Sequence, residues 1–278
     1  MSSLLTLVNG VALENGGQAI AVGDRGLNYG DGLFETALLR SGSVRFLNSH
    51  LARLQRGCER LGIPFPVAGL TQDLLQMERM DWGGQGAAGA VLKIVVTRGV
   101  GGRGYRPAAG MPGTRIVALH PLPDLAATSA GISARWCSIR LSRNAALAGM
   151  KHLNRLEQVL AQREWDDEFA GEGLMLDTEG ELIGGTASNV FVVRDGGLST
   201  PDLRFCGVFG IMREQVLWAA GRLGVACSEE PLWPHDLASA SEVFVTNAVR
   251  GIRSITALDT QQWPTGPVAR RLIAELDL

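Results

Sequence analysis

The chain has 278 residues, of which 46% are hydrophobic, with 26 Lys and Arg against 28 Asp and Glu and a formal net charge of −2. That balance argues against a nucleic-acid partner, which needs a concentrated basic excess, and no apolar run approaches the ~20 residues of a membrane span. No basic segment followed by an apolar stretch opens the chain. Cys58, Cys137, Cys206 and Cys227 are scattered without a C-x-x-C, so they read as buried thiols in a reducing, cytoplasmic setting. The four His residues form no H-x-x-x-H pair, and no protein-built metal site is expected. Glycine is in excess, at 36 of 278 residues against an average of about 7%, which calls for many tight turns and close backbone approaches.

Leu4–Val8 runs into Asn9-Gly10, a type I′ hairpin signal, with Val11-Ala12-Leu13 returning. Phe34–Leu39 and Val44–Leu47 form a second hairpin over Arg40–Ser43. Ser49 can cap a helix with the apolar stripe Leu51, Leu54, Cys58 and Leu61, ending at Gly62. A second helix is predicted over Leu70–Met80, then strands Ala90–Thr97 and Arg115–His120 around the glycine-rich loop Arg98–Gly113. Pro121–Gly131 reads as a linker. Beyond it come a strand over Ile132–Ile139 and a helix over Asn154–Phe169 with Leu156, Val159 and Leu160 inward. A hairpin of Leu174–Asp177 with Glu181–Ile183 and a strand over Val190–Val193 follow. A helix over Ile211–Leu223, a strand over Val243–Thr246 and a final helix over Pro267–Leu276 complete the pattern. The expected fold class is α+β, mixed α/β, in two domains: 1–121, a linker 122–131, and 132–278, which carries Lys151.

Five segments can carry chemistry, and each has an ordinary structural reading beside the functional one. Lys151 is placed just before a helix, where the positive dipole end disfavours a cation and, in a buried setting, favours the neutral amine that attacks carbonyls. An ordinary solvated lysine is the alternative. Gly207-Val208-Phe209-Gly210-Ile211-Met212-Arg213 is a glycine-flanked turn opening a helix, which makes either a phosphate cradle or a plain helix start. Arg53 lies off the apolar stripe of its helix and offers a bidentate fork to phosphate, or is simply exposed. Val245-Thr246-Asn247-Ala248 ends a strand on two hydrogen-bonding side chains, or is a plain strand-to-turn exit. Thr97–Arg106 holds three arginines and Tyr105 on a glycine-rich loop suited to carboxylates, or is simply a solvated flexible loop, without the spacing of a nucleotide-binding loop.

Taken in order, these segments resemble the class IV pyridoxal-phosphate enzymes: branched-chain and D-amino-acid aminotransferases and 4-amino-4-deoxychorismate lyases. Asp24-Arg25-Gly26-Leu27-Asn28-Tyr29-Gly30-Asp31-Gly32 looks like the opening D-R-G-x-x-[FY]-G-D-G segment. His50-Leu51-Ala52-Arg53-Leu54 is similar to the H-[LI]-x-R-L helix, Ser188-Asn189-Val190-Phe191 and Gly210-Ile211-Met212-Arg213 to later signatures. Ala148–Leu160 and Thr97–Tyr105 are similar to the lyase branch in particular. The resemblance implies a two-domain fold like that of D-amino-acid aminotransferase and pyridoxal 5'-phosphate on a Schiff-base lysine, Lys151. It implies that Arg53, Gly210, Ile211, Met212 and Asn247 anchor the phosphate, that Arg103 and Tyr105 serve the substrate carboxylates, and that the active form is a homodimer with its site between the domains. One position departs from the family: Gly184 stands where a glutamate usually meets the pyridine nitrogen, five residues before Asn189. Odd spacing puts Glu181 on the wrong face to replace it.

The activity implied is conversion of 4-amino-4-deoxychorismate to 4-aminobenzoate and pyruvate, a step of folate biosynthesis. Its rivals are a class IV aminotransferase and a non-catalytic or repurposed member that has lost the pyridine carboxylate.

Overall fold

The computed structural model describes residues 4–13, 20–79, 89–125, 131–166 and 171–278. The chain divides into two compact units, Met1–Pro123 with Lys151–Asn154, and Asp124–Met150 with Arg155–Leu278. Residues 126–130 of the expected linker lie outside the described residues, as do Met80 and Phe169. Lys151, assigned by sequence to the C-terminal domain, packs with the first unit.

The first unit is a six-stranded antiparallel sheet with helices on one face. Its strands are β1 (Leu5–Val8), β2 (Val11–Ala12), β3 (Gly32–Arg40), β4 (Ser43–Val44), β5 (Ala90–Thr97) and β6 (Thr114–Pro121), in the order β2-β1-β6-β5-β3-β4. Both tight turns form as type I′ chemistry requires, with positive φ at Asn9 and Gly10 and at Ser41 and Gly42. Leu33, Ala37, Leu92, Ile94, Val96, Val117, Leu119 and Leu7 share one face in register and are buried. On that face lie α2 (Leu47–Leu61) and α3 (Val67–Arg79), α3 held through Asp73 and Arg115 at 2.7 Å.

The expected return strand to Leu47 and the Ser49 cap are corrected. Phe46 turns left-handed at φ 55° and starts α2 at Leu47, so the strand is cut short. The buried face of α2 is then His50, Arg53, Leu54, Gly57 and Cys58 rather than the stripe through Leu51 and Leu61. Arg53, placed by sequence off the buried face, is on it.

The second unit holds a nine-stranded mixed sheet. Its strands are β7 (Ile132–Trp136), β8 (Glu172–Leu176), β9 (Leu182–Gly185), β10 (Asn189–Arg194), β11 (Gly197–Pro201), β12 (Cys227–Glu230), β13 (Glu242–Asn247), β14 (Gly251–Leu258) and β15 (Gln261–Gln262). The order is β12-β11-β10-β13-β14-β7-β8-β9, with β15 beside β14. Val190, Val192, Val243, Val245, Ile255 and Leu174 face a core closed by Leu232, Leu237 and Trp263. On the other face Phe191 stacks on Phe244, ring centres 5.1 Å apart. There, α5 (Ile211–Arg222) packs against β13, and α6 (Pro267–Glu275) against β13 and β14. The buried Glu242 carboxylate caps α6, accepting from the N–H groups of Val268 (2.9 Å) and Ala269 (3.0 Å).

Both units mix helices and strands, as the sequence predicts. Two details differ. The helix α4 (Leu156–Gln162) begins at Leu156, and Leu156, Val159 and Leu160 are exposed by 75%, 52% and 46% rather than inward. Cys227 is exposed, while burial pushes the Cys58 thiol up to about 11 and those of Cys137 and Cys206 up to about 12. No helix among the described residues is long and apolar enough to cross a membrane.

Candidate active site

The first unit places Lys151 on the edge of its sheet, not at a helix start. The Phe34 N–H donates to the Lys151 carbonyl at 2.9 Å and the Leu153 N–H to the Gly32 carbonyl at 3.0 Å, so Lys151–Leu153 adds a short antiparallel segment to β3. The lysine Nζ sits 4.3 Å from the centre of the Phe34 ring. The helix α4 starts at Leu156, five residues later, so Lys151 is not at the helix start where the sequence predicts it. Gly30 and Gly32 keep the passage open: a Cβ at Gly32 would meet Leu153 at 2.8 Å, and one at Gly30 would press on Asn154.

Arg53 is also set by the first unit. Its Nε and Nη2 donate to Glu35 on β3 at 2.8 and 2.5 Å. Burial pushes the Glu35 carboxyl up, but hydrogen bonding from His50 and the charge of Arg53 outweigh it and hold the group below the usual carboxylate range.

The loop proposed to meet carboxylates is braced from below. The helix α1 (Arg25–Tyr29) is capped by the buried Asp24, which also accepts from Thr97 Oγ1 (3.0 Å) and Thr114 Oγ1 (2.7 Å). Arg25 donates to the carbonyls of Gly104 (2.9 Å) and Tyr105 (2.7 Å) and lies over the Tyr29 ring. Tyr29 meets Tyr105 edge-on at 5.6 Å. Arg98 is spent on Asp31 and on the carbonyls of Leu61 and Gly62, closing the base of the loop. Arg103 and Tyr105 remain outward, Tyr105 with 86% exposure.

In the second unit the hub is Asn189, at the start of β10. Its Nδ2 donates to the Val208 carbonyl at 2.9 Å, and its backbone is the cross-strand partner of Thr246 on β13. The segment 207–209 pairs with Gly149: Gly149 N–H to Gly207 carbonyl at 3.0 Å, Phe209 N–H to Gly149 carbonyl at 3.1 Å. Gly149 has φ 79° and faces the Phe209 ring, which a Cβ there would overlap. Gly210 then opens α5 with no side-chain cap, and a Cβ on it would overlap the Asn189 amide oxygen. The N–H groups of the first turn of α5 have no intrahelical acceptor by geometry, and they carry the positive end of the helix dipole. The Thr246 hydroxyl, on the same sheet face as Asn189, is buried with no hydrogen-bond partner among the described residues. A buried unpartnered hydroxyl costs free energy unless a ligand completes it.

Asn247, singled out by sequence, has its side chain committed elsewhere. Its Oδ1 accepts from the N–H groups of Val249 (3.1 Å) and Arg250 (2.7 Å), closing the turn into β14, and its Nδ2 donates to the Ala187 carbonyl. Thr246 is the residue that sequence reasoning missed, although its signal, a hydroxyl at the end of a buried strand, was in the same four residues. Arg213 is structural, bonded to the Pro201 carbonyl and Glu229.

Gly184 lies beside the same hub: a Cβ would sit 3.7 Å from the Asn189 Cα and 2.8 Å from the Ser188 carbonyl oxygen, which already accepts from the Gly185 N–H at 2.8 Å. The nearby carboxylates are spent. Glu172 takes the Thr186 N–H and hydroxyl, the Ser188 hydroxyl and Arg253, and Glu181 pairs with Arg143 at 3.5 Å. The sequence leads one to expect that Gly184→Glu raises turnover if the missing carboxylate limits it. In this structure the backbone has closed over the position, so the substitution is expected to lower stability by about 1–3 kcal/mol through overpacking, read as a lower midpoint in a thermal melt.

Each unit by itself carries groups whose chemistry fits pyridoxal 5'-phosphate: the first a primary amine on a braced sheet edge and a buried arginine fork, the second a helix start with no side-chain cap and a buried hydroxyl with no hydrogen-bond partner among the described residues. The profile of class IV amino-transferases matches residues 32–258. The chain is 32% identical to an aminodeoxychorismate lyase of Vibrio harveyi over 265 residues, 93% of this chain and 96% of that one. It is also 32% identical to a putative branched-chain-amino-acid aminotransferase of Methanocaldococcus jannaschii, over 91% of this chain and 87% of that one. The crystal structure of 4-amino-4-deoxychorismate lyase from Pseudomonas aeruginosa is similar with a TM-score of 0.89 and 43% identity, covering 98% of both chains.

Proposed function

Because the chain belongs to the class IV aminotransferase family, we propose that it is the pyridoxal-phosphate-dependent lyase that converts 4-amino-4-deoxychorismate to 4-aminobenzoate and pyruvate, serving folate biosynthesis. The observation that carries the lyase over an aminotransferase is the likeness to the Pseudomonas aeruginosa lyase, at 43% identity over 98% of both chains. The local chemistry agrees with it. Elimination that ends in an aromatic ring carries its own driving force, so it depends less than amino transfer on a carboxylate at the position of Gly184.

The cofactor, when bound, supplies an electron sink for the carbon that loses its proton. Lys151 would hold the cofactor through its amine, and the same amine would accept the C4 proton of the substrate. The C4–H electron pair would form the last ring double bond as the C3–O bond breaks, and the departing enolpyruvate would take the proton back at its methylene carbon to become pyruvate. Arg53, the first-turn N–H groups of Ile211 and Met212, and the Thr246 hydroxyl hold the phosphate. Asn247 shapes the adjoining turn. Arg103 and Tyr105, held out by Arg25 and Tyr29, meet the substrate carboxylates. Purified protein supplied with the cofactor is expected to absorb in the visible, to be bleached by borohydride, and to release pyruvate from 4-amino-4-deoxychorismate. A preparation that stays colourless, or that transfers amino groups to keto acids while releasing no pyruvate, would sink the reading.

The active form we propose is a cytoplasmic homodimer. Support comes from α4, whose exposed Leu156, Val159 and Leu160 form an i, i+3, i+4 stripe that a soluble monomer rarely leaves open. Val159→Glu is expected to weaken self-association by about 2 kcal/mol, roughly 30-fold, read as a shift toward the monomer mass in sedimentation. Unchanged mass at every concentration would remove α4 from the interface.

A further inference from the structure

Arg53 and His50 share one buried carboxylate on the face of the first sheet that α2 covers. Glu35 lies on β3 between the buried Leu33 and Ala37 and faces the same way. Its Oε1 accepts from Arg53 Nε at 2.8 Å, and its Oε2 accepts from Arg53 Nη2 at 2.5 Å and from His50 Nδ1 at 2.6 Å. All three residues are buried, Glu35 and His50 almost completely. The other ring nitrogen of His50 is buried with no hydrogen-bond partner among the described residues.

Stability is a poor explanation for this arrangement, because desolvating a buried ion pair costs about as much as its attraction returns, and apolar groups would fill the space as well. Direction is what the geometry delivers. A fork-to-fork contact takes two of the five N–H donors of a guanidinium and fixes its plane. The single bond from His50 pins the same carboxylate oxygen that receives Arg53 Nη2. Close packing keeps the three residues in place: α2 approaches β3 so tightly that a Cβ at Gly57 would sit 2.8 Å from the Leu33 side chain.

We propose that Glu35 is a positioning residue for the cofactor's phosphate: it aims the Arg53 guanidinium, and His50 holds Glu35 in the orientation that does so. The inference rests on the reading that Arg53 binds that phosphate. Neither Glu35 nor His50 touches the cofactor in this account, so their loss is felt in phosphate recognition and not in ring recognition.

The test compares binding of pyridoxal 5'-phosphate with binding of pyridoxal, which lacks the phosphate, by absorbance titration of the apoenzyme. Arg53→Ala tests the underlying reading: it should abolish most of the preference for the phosphorylated form, and a preserved preference would remove Arg53 from the phosphate site. Given that loss, Glu35→Gln is expected to lower the preference about 10- to 30-fold, the scale of a charge-assisted hydrogen bond, with pyridoxal affinity within about 2-fold of wild type. His50→Leu should lower it about 3- to 10-fold, and His50→Asn, which can restore a donor near the Nδ1 position, should recover most of it. The His50 pair keeps the test decisive where Glu35→Gln does not fold. An unchanged preference in Glu35→Gln or His50→Leu, or an equal loss of both ligands, overturns the proposal.

Discussion

Lys151→Ala is expected to reduce pyruvate release by at least ~10⁴-fold, because one side chain supplies both covalent attachment and the proton acceptor. The fold should not suffer. Lys151 joins the sheet through its backbone carbonyl, which takes the Phe34 N–H at 2.9 Å, and alanine keeps that bond. The contact of the amine over the Phe34 ring is lost, worth about 0.5–2 kcal/mol. Lys151→Arg separates the two roles of the residue, since a guanidinium retains the charge over the ring but stays protonated and cannot attack a carbonyl. Both variants should bind the cofactor without a borohydride-reducible bond and melt close to wild type. Pyruvate release from either within about 10-fold of wild type would eliminate Lys151 as the reacting amine.

Local chemistry was legible where a few consecutive residues decide the outcome. Asn9-Gly10 adopts the positive φ values its type I′ reading demands, and β5 and α5 fall within a residue of their predicted bounds. Failures arose where a distant partner decides. An arginine at position 53 reads as solvated until Glu35, 18 residues away, is seen to take its fork. The run Gly251–Leu258 went unread as a strand because Arg253 interrupts its apolar pattern, and only the buried Glu172 makes that cation tolerable there. The helix α4 has a sound period, yet its stripe faces outward, since periodicity says which residues share a face and not what covers it. At the candidate site the glycines were legible as gaps, while the difference between Thr246 and Asn247 was not. Adjacent strand residues point to opposite faces, and which of them keeps a spare polar group depends on the turn that Asn247 closes.

Gly210→Ala should cost phosphate recognition heavily for a single added methyl group. Its backbone, at φ −67° and ψ 140°, suits alanine well, so the cost is one of space and not of conformation. The new Cβ would overlap the Asn189 amide oxygen. Relief requires turning that amide away, which breaks its 2.9 Å bond to the Val208 carbonyl and loosens the turn that aims the first N–H groups of α5. Affinity for pyridoxal 5'-phosphate is therefore expected to fall about 100-fold, the loss of two charge-assisted bonds. Affinity for pyridoxal should fall far less. Gly221→Ala is the matched control: it lies in the same helix with nothing within 4 Å of the added Cβ, and it should stabilise the protein by about 0.5–1 kcal/mol through helix propensity. Wild-type phosphate preference in Gly210→Ala would show that the N-terminus of α5 is an ordinary helix start. Loss in Gly210→Ala with gain in Gly221→Ala would instead locate phosphate recognition in the narrow gap between Gly210 and Asn189, where one hydrogen atom in place of a methyl group keeps the helix dipole within reach of an anion.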